Sequence, residues 1–128
     1  AAERIREYGA QPTRDAITRY LLWREQNEEC IYSGRKISIS QLLGGEVDID
    51  HILPYSRTLD DSLMNKVVCF RAENTDKRDR TPFEWLAETD PAKYEQVLQR
   101  ARRLPHYPKS RRFLVRQIEL DDFFARGL

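Results

Sequence analysis

The sequence predicts an α+β fold, a mostly helical domain around one small antiparallel β-hairpin that is followed by a helix. Three observations carry this. Val47-Asp48-Ile49-Asp50 alternates apolar and acidic residues, the period-2 pattern of a half-buried strand. Val67-Val68-Cys69-Phe70 is a compact β-favouring run one polar loop later. Around them, caps, prolines and apolar stripes mark helices over about 14–28, 82–88, 91–103 and 110–126, with the strand-strand-helix core over about 47–80.

Taken in order, residues 1–11 are polar and are expected to be poorly ordered. Thr13 is a good N-cap, and Asp15 in the first turn complements the helix dipole. Ile17, Tyr20, Leu21 and Arg24 follow at helical spacing, so this face is expected to be the buried one, with Tyr20 and Trp23 as packing residues. Ser33-Gly34 marks a turn between Cys30-Ile-Tyr and Lys36-Ile-Ser-Ile39, a short strand by its alternation. Gln41-Leu-Leu43 makes one helical turn, which Gly44-Gly45 breaks.

Pro54 has no amide hydrogen and takes the chain out of the ladder after His51. Asp60, Asp61 and Ser62 can each cap a turn in the loop to the second strand. The next helix is expected to start at Glu73 or Asn74. Thr81-Pro-Phe-Glu84 is a capping box with proline at the first helical position, carrying Trp85 and Leu86 into the core. Asp90-Pro91 repeats the signal, and Tyr94, Val97, Leu98 and Ala101 form a clean stripe. Beyond the stiff Leu104-Pro-His-Tyr-Pro108, with His106 on the surface, the core candidates are Phe113, Leu114, Ile118, Leu120, Phe123 and Phe124.

At 128 residues this is one domain's worth of chain, 34% charged and 40% hydrophobic. No apolar run is long enough to cross a bilayer, and no membrane association is expected. The chain does not begin with Met, which suits a domain excised from a larger protein. Two cysteines, Cys30 and Cys69, without a Cys-x-x-Cys pair fit a reduced protein with neither disulfide nor structural zinc. The formal net charge of +1 hides an uneven spread: 17 of the 22 basic residues are arginines, and positions 96–118 hold seven basic residues and no acid. Arginine's planar fork suits phosphate, although a solvated helix face explains such a run equally well.

The hairpin would bring Asp50, His51 and Asn74 into one polar pocket. Each has a plain alternative: Asp50 as a turn cap, Asn74 as a helix cap, His51 as a hydrogen-bonded core histidine. Their conjunction points instead to metal-dependent phosphodiester hydrolysis. Mg²⁺ prefers oxygen donors and is commonly held by one or two carboxylates plus substrate phosphate, so Asp50 and the Asn74 side-chain oxygen are its candidate ligands, with Mn²⁺ as a substitute. Imidazole is the side chain suited to proton transfer near neutral pH, so His51 can take a proton from an attacking water. Lys77, one turn past Asn74, is placed to contact the phosphate.

This stretch resembles the HNH (ββα-metal) endonucleases, and more closely the HNH domain of RNA-guided type II CRISPR effector nucleases, the compact type II-C kind. The resemblance is carried by Glu25-Gln26, Cys30-Ile-Tyr-Ser-Gly34, Asp48-Ile-Asp-His-Ile-Leu-Pro-Tyr-Ser-Arg57, Asp60-Asp-Ser62, Asn65-Lys-Val67, Glu73-Asn74, Lys77 and Thr81-Pro82. It implies His51 as general base, Asp50 and Asn74 as Mg²⁺ ligands, and Asn65 as a supporting residue that holds the loop by hydrogen bonds. Asn74 stands where many HNH enzymes have histidine, a substitution that CRISPR effectors share. Cys30-Ile-Tyr-Ser33 has the spacing of a zinc pair but lacks the second thiol.

The resemblance further implies a bacterial, cytoplasmic protein of antiviral defence, inserted in a larger effector beside an RNase H-like nuclease domain. Its substrate would be the DNA strand paired to a guide RNA, with base pairing supplying specificity and docking of the domain gating the cut. Arg100, Arg102, Arg103, Arg111 and Arg112 would contact phosphates or sibling domains, and the isolated domain would be monomeric. The alternatives are a freestanding homing or restriction-type HNH nuclease and a non-catalytic nucleic-acid-binding module.

Overall fold

The structure is a computed structural model and describes residues 1–116. At its centre, β1 (Val47–His51) pairs antiparallel with β2 (Lys66–Phe70), in a register that sets Val47 opposite Phe70 and His51 opposite Lys66. Val47, Val67, Val68 and Cys69 are fully buried, which accounts for the β-favouring composition of both runs. The hairpin is one layer, and helices cover it on its faces and along one edge.

That edge is closed by a side chain. α2 (Arg14–Glu25) ends beside β2, and Gln26, just past it, donates from Nε2 to the Val68 carbonyl at 2.9 Å. Its Oε1 accepts from the Val68 amide at 2.8 Å. One primary amide therefore does for β2 what a third strand would do, satisfying both backbone groups of an otherwise bare edge.

α2 starts where Thr13 caps it, with Thr13 Oγ1 accepting from the Ala16 amide at 3.1 Å. Its inward face is one residue out of phase with the expected stripe. Ala16, Leu22 and Trp23 are buried, and Leu21 is 53% exposed. The indole explains the phase: Trp23 Nε1 donates to the Ile37 carbonyl at 2.8 Å, which requires Trp23 to point into the core. The N-terminal residues also differ from expectation. Ala2–Tyr8 form a helix, α1, anchored by fully buried Ile5.

Two short helices flank β1: α3 (Ile39–Leu43), opened by a Ser38–Gln41 capping box, and α4 (Tyr55–Thr58). Lys36–Ile39 does not form the expected strand, and its pairing is limited to a single bridge between Glu29 and Lys36. α5 (Arg71–Lys77) follows β2 directly, two or three residues earlier than expected. α6 (Pro82–Leu86) and α7 (Pro91–Arg102) start at Thr81 and Asp90 with the caps in place, and both end a little short of the expected bounds. In the described part of 110–126, the expected helix gives way to a 3-10 turn (Arg111–Leu114), which a short α8 (Tyr107–Ser110) precedes. Ile118, Leu120, Phe123 and Phe124 lie outside the described residues. No helix among the described residues is long and apolar enough to cross a membrane.

Phe113 is fully buried, whereas Leu114 is 55% exposed. Arg112 beside them is not a surface residue. It reaches Asp60 Oδ2 at 3.0 Å, in a buried ion pair that ties the loop between the strands to the last described turn. Burial pushes the Asp60 carboxyl up, but hydrogen bonds from Ser62 and Arg112 outweigh it, and the group titrates below the ordinary carboxylate range. A carboxyl depressed in the folded state lends stability above its unfolded value, and this is lost as pH falls through the folded one. Urea unfolding of Asp60→Asn should show a loss of about 3 kcal/mol at pH 7. The gap from the parent chain should narrow below about pH 4. The Thr81–Glu84 box is closed in both directions, at 3.0 and 2.9 Å, so Thr81→Ala should lower stability by about 1 kcal/mol in the same assay.

Candidate active site

Alternation puts Asp48 and Asp50 on one face of β1, and α5 lies along that face. Lys77 Nζ stands 3.1 Å from Asp50 Oδ2 and donates to the His51 carbonyl at 2.9 Å. One turn earlier, Asn74 Nδ2 donates to Asp48 Oδ2 at 3.0 Å. Residues three apart on a helix and two apart on a strand advance by comparable distances, about 4.5 and 6.6 Å. Asn74 over Asp48 and Lys77 over Asp50 therefore place α5 parallel to β1. Arg71 adds a second donor to Asp48, at 3.2 Å.

Lys77 has no solvent exposure and Asp50 is 7% exposed. Lys77, expected to contact a phosphate, turns inward instead, where it is the counter-charge of the buried Asp50 carboxylate. Asp50 Oδ2 also accepts from the Tyr32 hydroxyl at 2.6 Å. Burial, and then the charge on Asp50, raise the Tyr32 phenol well above its ordinary value.

His51 ends β1 on the other side of the strand. Its Nε2 lies 2.8 Å from Asp61 Oδ1, and its ring stands 5.4 Å from that of Tyr55. The hydrogen bond from His51, and then that from Lys66, hold the Asp61 carboxyl below its ordinary range. A carboxylate only accepts, so Nε2 is the protonated nitrogen and Nδ1 of neutral His51 keeps its lone pair.

Asn65 is fully buried beneath this loop. Its Nδ2 donates to the carbonyls of Leu53 and Asp60, each at 2.9 Å, and its Oδ1 accepts from the Leu53 amide at 3.0 Å. The residues just after His51 are thereby stapled to those just before β2.

A family profile described as HNH endonuclease matches residues 30–83, a segment that contains both strands and α5. The Cas9 endonuclease of Campylobacter jejuni is 47% identical over 90 residues, covering 70% of this chain and 9% of that protein. The crystal structure of Streptococcus thermophilus Cas9 in complex with the AGAA PAM matches with a TM-score of 0.75 at 28% identity, over 91% of this chain and 13% of that one. The chain belongs to the HNH endonuclease family. The type II-C Cas9 from Actinomyces naeslundii shares the fold of this HNH domain, with a TM-score of 0.68 at 19% identity over 90% of the domain and 15% of that chain. The HNH domain spans only a small part of the length of each of these proteins.

Among the described residues, no group of three or more His, Cys, Asp or Glu side chains stands close enough to hold a metal. The remaining candidates are two side-chain oxygens, one on Asn74 and one on Asp50. Asn74 must face Asp48 with its NH₂, since that carboxylate is an acceptor, so the amide oxygen is left for a cation. Asp50 Oδ1 accepts no hydrogen bond among the described residues. Such a set fits a hard divalent ion that keeps several waters and completes its shell from a phosphate.

Three residues of the site escape a sequence reading. Asp48 had a signal, the shared face of Asp48 and Asp50, but a ligand search stops at Asp50. Asp61 sits in an acidic run that reads as turn caps. Tyr32 carries no local signal, being eighteen residues before Asp50 and joined to it only by the fold. Asn65→Ala should strand three buried backbone groups and lower stability by about 3–5 kcal/mol in chemical denaturation. Asn65→Asp, which keeps the acceptor and loses both donors, should also destabilise.

Proposed function

We propose that this HNH domain hydrolyses a phosphodiester bond of DNA, in the strand paired to a guide RNA, as part of a larger Cas9-like effector. The observation that carries this reading is the shared face of β1 and α5, where Asp50 Oδ1 and the Asn74 amide oxygen accept no hydrogen bond among the described residues, together with His51 at the strand's end, held through Nε2 by Asp61. The family match and the likeness to Cas9 proteins support the choice of substrate.

In this reading Asp50 and Asn74 hold one Mg²⁺, for which Mn²⁺ would substitute. Bound there, the ion would contact the scissile phosphate and offset charge developing on the departing 3′ oxygen. His51 Nδ1 takes a proton from the attacking water, while Asp61 stabilises the imidazolium and keeps the ring in one tautomer. Lys77 and Asn65 act from below. Lys77 holds Asp50 and the His51 carbonyl, and Asn65 fixes the turn that follows the base. Arg102, Arg103 and Arg111 are exposed and would meet phosphates or sibling domains.

The test is cleavage of the guide-paired strand by the parent effector with and without His51. His51→Ala should abolish the cut and leave Mn²⁺ affinity and melting midpoint nearly unchanged. Asp50→Ala and Asn74→Ala should each weaken Mn²⁺ binding in a titration. A His51→Ala effector that cuts the guide-paired strand at the parent rate would remove the base assignment.

A further inference from the structure

Tyr32 lies in the Cys30-Ile-Tyr-Ser-Gly34 segment, to which the proposed chemistry gives no part. Its side chain is completely buried. The ring meets Trp85 edge-on, with centroids 5.2 Å apart and planes at 86°, and stands 6.4 Å from Phe113. The backbone is held as well: Arg100 donates from Nε to the Ile31 carbonyl at 2.8 Å and from Nη2 to the Tyr32 carbonyl at 3.0 Å. Gly34, at φ 76°, leaves space for that guanidinium, which a Cβ would enter. Ring and backbone are thus fixed independently of the hydroxyl.

Among the described residues the hydroxyl makes one hydrogen bond, to Asp50 Oδ2 at 2.6 Å, on the same oxygen that Lys77 approaches at 3.1 Å. We propose that Tyr32 is a positioning residue for the metal ligand Asp50: with Lys77 it takes Oδ2 and so presents Oδ1, and only Oδ1, to the divalent cation. The inference rests on the reading of Asp50 as a ligand. Rotation about the last torsion of an aspartate is soft, so a carboxylate without such partners would have to be ordered when the ion binds. Hydrogen-bond partners of metal-ligating groups commonly contribute 10–100-fold in metal affinity. Lys77 orders the same oxygen but brings a positive charge next to the cation. Tyr32 orders it as a neutral hydroxyl donor.

A purely structural Tyr32 would affect melting and leave ion binding alone. Tyr32→Phe keeps the ring and removes one oxygen, and Lys77 still satisfies Oδ2. Mn²⁺ titration of the 128-residue chain, read by the electron paramagnetic resonance signal of the free ion, should show Tyr32→Phe binding roughly 10–100-fold more weakly than the parent. Asp50→Ala should abolish the same site. Parent-like affinity in Tyr32→Phe, with Asp50→Ala inactive in binding, overturns the role of Tyr32 and leaves the metal reading standing. Parent-like affinity in Asp50→Ala overturns both. Should Tyr32→Phe fail to fold, the unsubstituted chain decides. With tyrosine labelled by ¹³C at Cζ, the Tyr32 resonance, assigned through its contacts to Trp85 and Phe113, should move on adding Mg²⁺ as the cation draws charge from Asp50. A resonance that stays in place under saturating Mg²⁺ overturns the proposal.

Discussion

A carboxylate shut between a hairpin and a helix is the constraint on which the rest of this domain depends. Asp50 is nearly removed from water, and an ion in that position costs several kcal/mol unless it is compensated. Lys77 and Tyr32 supply the compensation, and each fixes something larger than itself. Lys77 can reach Asp50 only if α5 lies along β1 in one rotational phase. That phase, through helical periodicity, brings Asn74 over Asp48. Tyr32 can reach it only if the segment after α2 crosses under the hairpin, where Arg100 of α7 holds the backbone. Such a pair adds little net stability over an apolar core; what it supplies is register.

The same logic runs through the other long-range polar contacts. Gln26 finishes the open edge of β2, Asn65 closes the loop between the strands, and Asp60 with Arg112 ties that loop to the last described turn. Each is a buried side chain meeting groups that would otherwise be left without partners, so loss of any one leaves unsatisfied polar atoms behind. His51 sits one residue past Asp50 and two before Leu53, which Asn65 holds. A proton acceptor set on so rigid a base needs little reorganisation when its substrate arrives.

The basic stretch over 96–118 shows how charge on a sequence divides once it is folded. Arg100 hydrogen-bonds backbone carbonyls, Arg112 is buried on Asp60, and Lys109 is buried on Glu25. Part of what reads as a phosphate-binding face is internal scaffolding. Burial pulls Lys109 below the ordinary lysine range despite the acidic partner, the mark of a charge used for packing.

Local chemistry was enough for the two paired strands and for the capped starts of α2, α6 and α7. Period, capping and proline geometry are properties of a few neighbouring residues, and they survive in any context. The phase of α2, the fold of residues 2–8, the inward turn of Lys77 and the arrival of Tyr32 were decided by tertiary structure alone. In each case the deciding partner is remote in sequence: Ile37 for Trp23, Asp50 for both Lys77 and Tyr32. Periodicity reports which residues share a face, but the choice of buried face belongs to whichever distant polar group must be satisfied.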